Sequence, residues 1–158
     1  MLAHAAPLAD EAVIVITRTF EAPQAAVWKS ITEPQHVMQW FGGAGFTNTV
    51  CEMDVRPGGL WHHVMRAPDG TEIQCDFVFQ EVDAPNRLVW QHVDHGRRTS
   101  GPPTCVTTVT LEQTGTETTW KLVARFDSIA DRDAAVGMGF SQVISAGFDQ
   151  LAALLKTL

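Results

Sequence analysis

The segment from Asp131 to Leu158 does most to restrict what this chain can become. Val136, Phe140, Val143, Ile144, Phe148, Leu151 and Leu155 recur there at three- and four-residue intervals, a spacing that predicts one long amphipathic helix. The apolar stripe is too broad to face water, so it needs a large apolar partner, and the only one available is a sheet made from the strands before it. The helix should therefore lie across that sheet. Gly137, Gly139 and Gly147 interrupt the stripe, each costing about 1 kcal/mol of helix propensity relative to Ala. They leave room for close backbone approach or for a guest.

The preceding chain supplies the strands. Val13 to Phe20 is rich in β-branched residues and ends at Glu21-Ala22-Pro23, reading as a first strand followed by a helix start. Val27, Trp28 and Ile31 have helical spacing, and Pro34 divides this stretch from a second short helix that ends near Trp40. Six more strand patterns follow: Thr49 to Val55, Leu60 to Ala67, Thr71 to Val82, Arg87 to Val93, Thr104 to Gln113 and Thr116 to Phe126. Pro57-Gly58-Gly59, Pro68-Asp69-Gly70, Asp83-Ala84-Pro85-Asn86 and Thr114-Gly115 separate them with turn chemistry. The pattern is an antiparallel meander whose longest break, His95 to Pro103, reads as its most mobile part.

A chain of 158 residues fits one domain able to bury a core without disulfides or a structural metal. We place that domain at residues 13–158 and expect residues 1–12 to fray. Eleven basic residues against 18 acidic ones give a net charge of −7, and without a dense Lys/Arg run this argues against a nucleic-acid partner. The N-terminal stretch reads as neither a signal peptide nor an anchor, and no apolar run reaches membrane-spanning length. Cys51, Cys75 and Cys105 lie in separate strand patterns and read as reduced, buried thiols of a cytoplasmic protein.

Arg18-Thr19-Phe20-Glu21-Ala22-Pro23 leading to Val27-Trp28, then Trp40-Phe41, Asp54-Val55-Arg56-Pro57-Gly58-Gly59, Pro68-Asp69-Gly70 and Pro85-Asn86-Arg87-Leu88-Val89 occur in that order. Together they resemble the Hsp90-ATPase-activator-homologue type of START-like (SRPBCC, Bet v 1-like) domain, over nearly the whole chain. The resemblance implies an α+β helix-grip fold, a curved antiparallel sheet wrapped around the long C-terminal helix. It also implies a small-molecule-binding cavity, and it brings no shared catalytic motif. His63 stands where relatives often carry an aromatic, and Phe140 where Trp often follows Gly.

Strand alternation puts Trp61, His63 and Met65 on one face, with Leu60, His62 and Val64 on the other. Cys75, Phe77 and Phe79 should share the first face, as should Leu88, Trp90 and His92. Met138, Phe140 and Val143 stand opposite, and Trp40 and Phe41 form a lip before Gly42-Gly43. This set is either a filled core or the wall of an apolar cavity, and the resemblance favours the cavity. His63 and His92 would be its polar handles, orienting a ligand or, as acid or base, moving a proton. A zinc site would need His62, His63, His92 and His95 to converge, but neighbouring strand residues point to opposite faces, so no metal is expected. Glu52 and Asp54 point the same way as a carboxylate pair, and Asp54 with Arg56 reads as a pin for the turn.

The expected function is therefore binding, carrying or sensing a small hydrophobic molecule, with no cofactor. Two alternatives stay open: a cyclase- or hydrolase-like enzyme using a cavity histidine, and a co-chaperone-like protein-interaction module. Homodimerisation is an expectation from fold analogy alone.

Overall fold

A computed structural model describes residues 4–7, 11–43, 45–93 and 103–158. Strand β1 (His4–Pro7) precedes β2 (Val13–Phe20), helices α1 (Gln24–Thr32) and α2 (Pro34–Trp40), and strands β3 (Thr47–Met53), β4 (Leu60–Arg66) and β5 (Glu72–Asp83). Then come β6 (Arg87–His92), β7 (Cys105–Thr114), β8 (Glu117–Phe126), α3 (Ile129–Gly137) and α4 (Phe140–Leu155). The strands form one antiparallel sheet in the order β1-β2-β8-β7-β6-β5-β4-β3. The expected α+β helix-grip architecture is present.

Two differences from the sequence reading have simple physical causes. Within the stretch expected to fray, His4–Pro7 pairs along β2 as an extra edge strand, where Pro7 is tolerated because an outermost strand can do without its N–H. The single C-terminal helix is broken between α3 and α4. Gly139 sits at the break with φ +87°, a left-handed conformation that glycine adopts without steric cost, so the helix restarts there in a new direction. Except for Pro103, the long break His95–Pro103 lies outside the described residues.

Each short helix starts where its first residues demand it. Glu33 has an extended backbone, as expected before a proline, so α1 stops there and Pro34 opens α2. Ser128 caps α3, its hydroxyl accepting from the Asp131 N–H at 3.0 Å. Helix α4 packs on α1, α2 and β2, burying Phe148 and Leu151 against the sheet. The Phe148 ring lies 5.1 Å from Trp120 and 5.8 Å from Phe20.

The β3–β4 turn is pinned at its base. Arg56 Nε donates to Asp54 Oδ2 at 2.7 Å, an exposed pair contributing about 0 to 1 kcal/mol. More depends on Gly59, whose N–H reaches the Arg56 carbonyl at 2.8 Å and whose own carbonyl accepts from Phe79 at 2.9 Å. A Cβ on Gly59 would stand 1.9 Å from the Asp54 carbonyl oxygen. Gly59→Ala should therefore cost about 1–3 kcal/mol, by the same overpacking that penalises extra methyls in a core. Urea unfolding measures it, and an unchanged midpoint would mean that the turn yields freely.

Candidate functional site

Between the concave sheet face and helices α2 and α4 lies a cavity of about 430 Å³, within the range of small-molecule sites. Trp61 and Met65 of β4, Phe77 of β5 and Trp90 of β6 form much of the sheet side. Phe140, Ile144 and Phe148 of α4 lie opposite, while Trp40, Phe41 and Phe46 close the end beside α2. Met138 and Val143 also belong to the wall, although they are 53 % and 42 % exposed. The hollow therefore reaches the surface beside the α3–α4 break.

The aromatic wall is held by ring-on-ring contacts. Trp61 lies 4.5 Å from Phe77, 5.2 Å from Phe41 and 5.5 Å from Trp90, centroid to centroid. Such edge and tilted geometries let the positive rim of one ring meet the negative face of another. Desolvation and ring electrostatics thus act together on the same side chains.

The two candidate histidines separate completely. His92 is on the cavity wall, its ring 5.0 Å from Phe77. His63 is fully buried and absent from the wall. Trp61 Nε1–H donates to His63 Nδ1 at 3.2 Å, which puts the His63 proton on Nε2, aimed at Asn48 Oδ1 2.7 Å away. The Asn48 amide in turn donates to the carbonyls of Met38 and Phe41, at 2.7 and 3.0 Å. His63 is therefore corrected from ligand handle and acid–base candidate to a strut: it ties the Trp61 wall to the Phe41 lip. Burial, helped by the neighbouring His62, lowers its pKa from 6.5 to about 4, so at neutral pH it is uncharged.

Phe79 is also corrected. It is fully buried and off the wall, stacked behind Trp61 at 6.0 Å with an interplanar angle of 9°. Its backbone N–H pairs with the Gly59 carbonyl at 2.9 Å, and the strand register shifts just beyond it, between Phe79 and Glu81. The other expected wall residues, Trp40, Phe41, Trp61, Met65, Phe77, Trp90, His92, Met138, Phe140 and Val143, all border the hollow.

Several wall residues were missed in the sequence. Cys105 and Thr107 of β7 and Trp120 and Leu122 of β8 face the cavity. Their signal was the two-residue alternation of those strands, which fixes a face once one inward residue is known. Cys75 also borders the cavity. Cys51 does not, and burial pushes its thiol up to about 11, leaving it inert as a nucleophile at neutral pH.

Comparison with known proteins places the architecture. A family model described as "Activator of Hsp90 ATPase homolog 1-like protein" matches residues 21–156. The chain belongs to that family. A solved protein from Nitrosomonas europaea is 28 % identical to this Hsp90-activator-homolog-like domain, with a TM-score of 0.85 over 95 % of this chain and 97 % of that one. A protein from Arthrobacter aurescens shares the fold at 22 % identity and TM-score 0.87, covering 98 % of this chain and 92 % of the other. CalU16 from Micromonospora echinospora is 20 % identical, with TM-score 0.64 over 98 % and 87 % of the two chains. No curated protein matched.

Other features of the Hsp90-activator-homolog-like domain lie outside the cavity. His62 projects to the opposite sheet face, its Nδ1 2.5 Å from Asp76 Oδ1. Among the described residues no group of His, Cys, Asp and Glu is placed to hold a metal ion, and His95 falls outside them. No helix among those residues is long and apolar enough to cross a membrane.

Proposed function

We propose that this domain binds a small, neutral, mostly hydrophobic molecule in its cavity, as a carrier or sensor. The observation that supports it is the wall itself: among the described residues it carries aromatic, aliphatic, thioether and thiol groups, one imidazole, the Thr107 hydroxyl and the Gln74 carboxamide, and no carboxylate, guanidinium or ammonium. Transfer of apolar ligand surface into such a site contributes about 25 cal/mol per Å² before ordering costs are subtracted. A net charge on the ligand would lose hydration without gaining a counter-ion. His92 and Thr107 offer hydrogen bonds to one polar group, a carbonyl or a hydroxyl, and so would orient the guest. No cofactor enters this reading, and three cysteines set in separate strands suit a reducing, cytoplasmic setting.

A second reading, an enzyme of cyclase or hydrolase type, is favoured by one observation: His92 borders the apolar hollow. An imidazole there can take a proton from a bound ketone-bearing substrate. A chaperone partner or a second copy of the chain comes from the family description and fold analogy, rather than from the chemistry of the wall.

Native mass spectrometry of protein purified from its own host tests the carrier reading. A bound small molecule should be retained by the wild type and lost by Ile144→Trp, whose indole would occupy the hollow. An empty wild-type cavity, or equal retention by the variant, would overturn it. Turnover of the retained molecule would favour the enzyme.

A further inference from the structure

The cavity wall has a nucleophilic corner at His92 and Cys105, of which the carrier reading uses only the imidazole, as a hydrogen-bonding group. The β6–β7 register runs from Arg87 opposite Thr110 to Gln91 opposite Val106, and the next position sets His92 across from Cys105. On their outer sides His92 faces Phe77 and Cys105 faces Phe126, so the four make one transverse row. His92, Cys105 and Phe77 all border the hollow. Directly opposed side chains on one sheet face have Cβ atoms about 4.5–5.5 Å apart, within reach for an imidazole and a thiol. The Thr107 hydroxyl lies 3.7 Å from Cys105 Sγ and can support charge on the sulfur.

We propose that Cys105, with His92 as its base, captures neutral α,β-unsaturated carbonyl compounds as thioethers inside the cavity, an inference that rests on the ligand-binding reading above. In the step, His92 takes the thiol proton and the sulfur forms a bond to the β-carbon. The π pair of the carbon–carbon double bond moves onto the carbonyl as an enolate, and the imidazolium returns the proton to the α-carbon. Nothing is oxidised or reduced, and no co-reactant is needed. The aromatic wall selects an electrophile with a flat or oily body, and the thiolate, a soft nucleophile, selects conjugated carbon. Cys75 also reaches the wall, one inward position along β5 from Phe77, but lies diagonal to His92 rather than opposite it.

Benzylideneacetone, a neutral aryl enone, is the probe, and benzylacetone, its saturated counterpart, is the control for binding alone. Intact-mass measurement and peptide mapping of the full chain should find one adduct, on Cys105. It should form roughly a hundredfold faster than on N-acetylcysteine at the same pH, the low end for positioned acid–base assistance. Cys105→Ala should remove the fast adduct. His92→Gln, measured after its unfolding midpoint is shown unchanged, should slow it about tenfold or more and erase the imidazole inflection in its pH profile. First labelling at Cys51 or Cys75, a rate equal to that of N-acetylcysteine, or a His92→Gln rate like the wild type would overturn the proposal. If benzylacetone quenches tryptophan fluorescence while the enone fails to add, only this proposal falls. If benzylacetone does not bind either, the ligand-binding reading falls with it.

Discussion

Trp61→Ala should lower stability by about 3–5 kcal/mol, the usual range for removing a large buried aromatic. Trp61 is 3 % exposed, and its ring contacts Phe41, His63, Phe77, Phe79 and Trp90. Its truncation also strips His63 Nδ1 of its donor, leaving a buried acceptor unpaired, which costs about 1–3 kcal/mol on its own. The two terms overlap because the void left behind can admit water to the imidazole. Trp90→Ala, at a half-buried position, should cost less stability while removing as much ligand-contacting area. Guanidinium unfolding of both variants, beside ligand retention, separates the roles. Equal stability losses would show that Trp61 is wall only and holds nothing else in place.

Acidification supplies the second large effect. His63 has an ordinary pKa of 6.5 when unfolded and about 4 when folded, so between those values the unfolded chain binds a proton that the folded one refuses. Stability therefore rises with pH across that window, and it is lost as pH falls from 6.5 towards 4. The whole contribution is about 3 kcal/mol, since each pKa unit is worth about 1.4 kcal/mol. Protonation also places an N–H on Nδ1, facing the Trp61 N–H, and breaks the strut at that end. Unfolding midpoints measured across the window should fall steadily for the wild type and more gently for His63→Gln. Parallel slopes in the two proteins would assign the acid loss to carboxylates instead.

Most of the architecture was legible because strand alternation and helical spacing are strong here. The strands from Val13 onward, the Pro34 division between the first two helices and the turn at Pro57-Gly58-Gly59 were all marked by local chemistry. The α3–α4 break was hidden because Val136, Phe140 and Val143 keep their three- and four-residue spacing straight through it. Periodicity reports a face, and a glycine in a left-handed conformation leaves that period unchanged.

The site was legible to the same depth. Alternation placed His63 and His92 on one sheet face, and both are there. It carries no information on depth, which depends on what the chain lays over each residue. Asn48 and the Phe41 lip cover His63, while His92 stays on the cavity wall. Phe79 shows the same limit: it shares the inward face, yet it stacks behind Trp61 and does not border the hollow.

The two outer strands bear on how copies of this chain can meet. At one margin β1 ends in Pro7, which has no N–H to offer an incoming strand. At the other, β3 carries an irregularity between Asn48 and Val50 that throws its outward-facing groups off a regular ladder. Neither margin is a flat, regular template, a feature that works against the fusion of two sheets into one continuous ribbon.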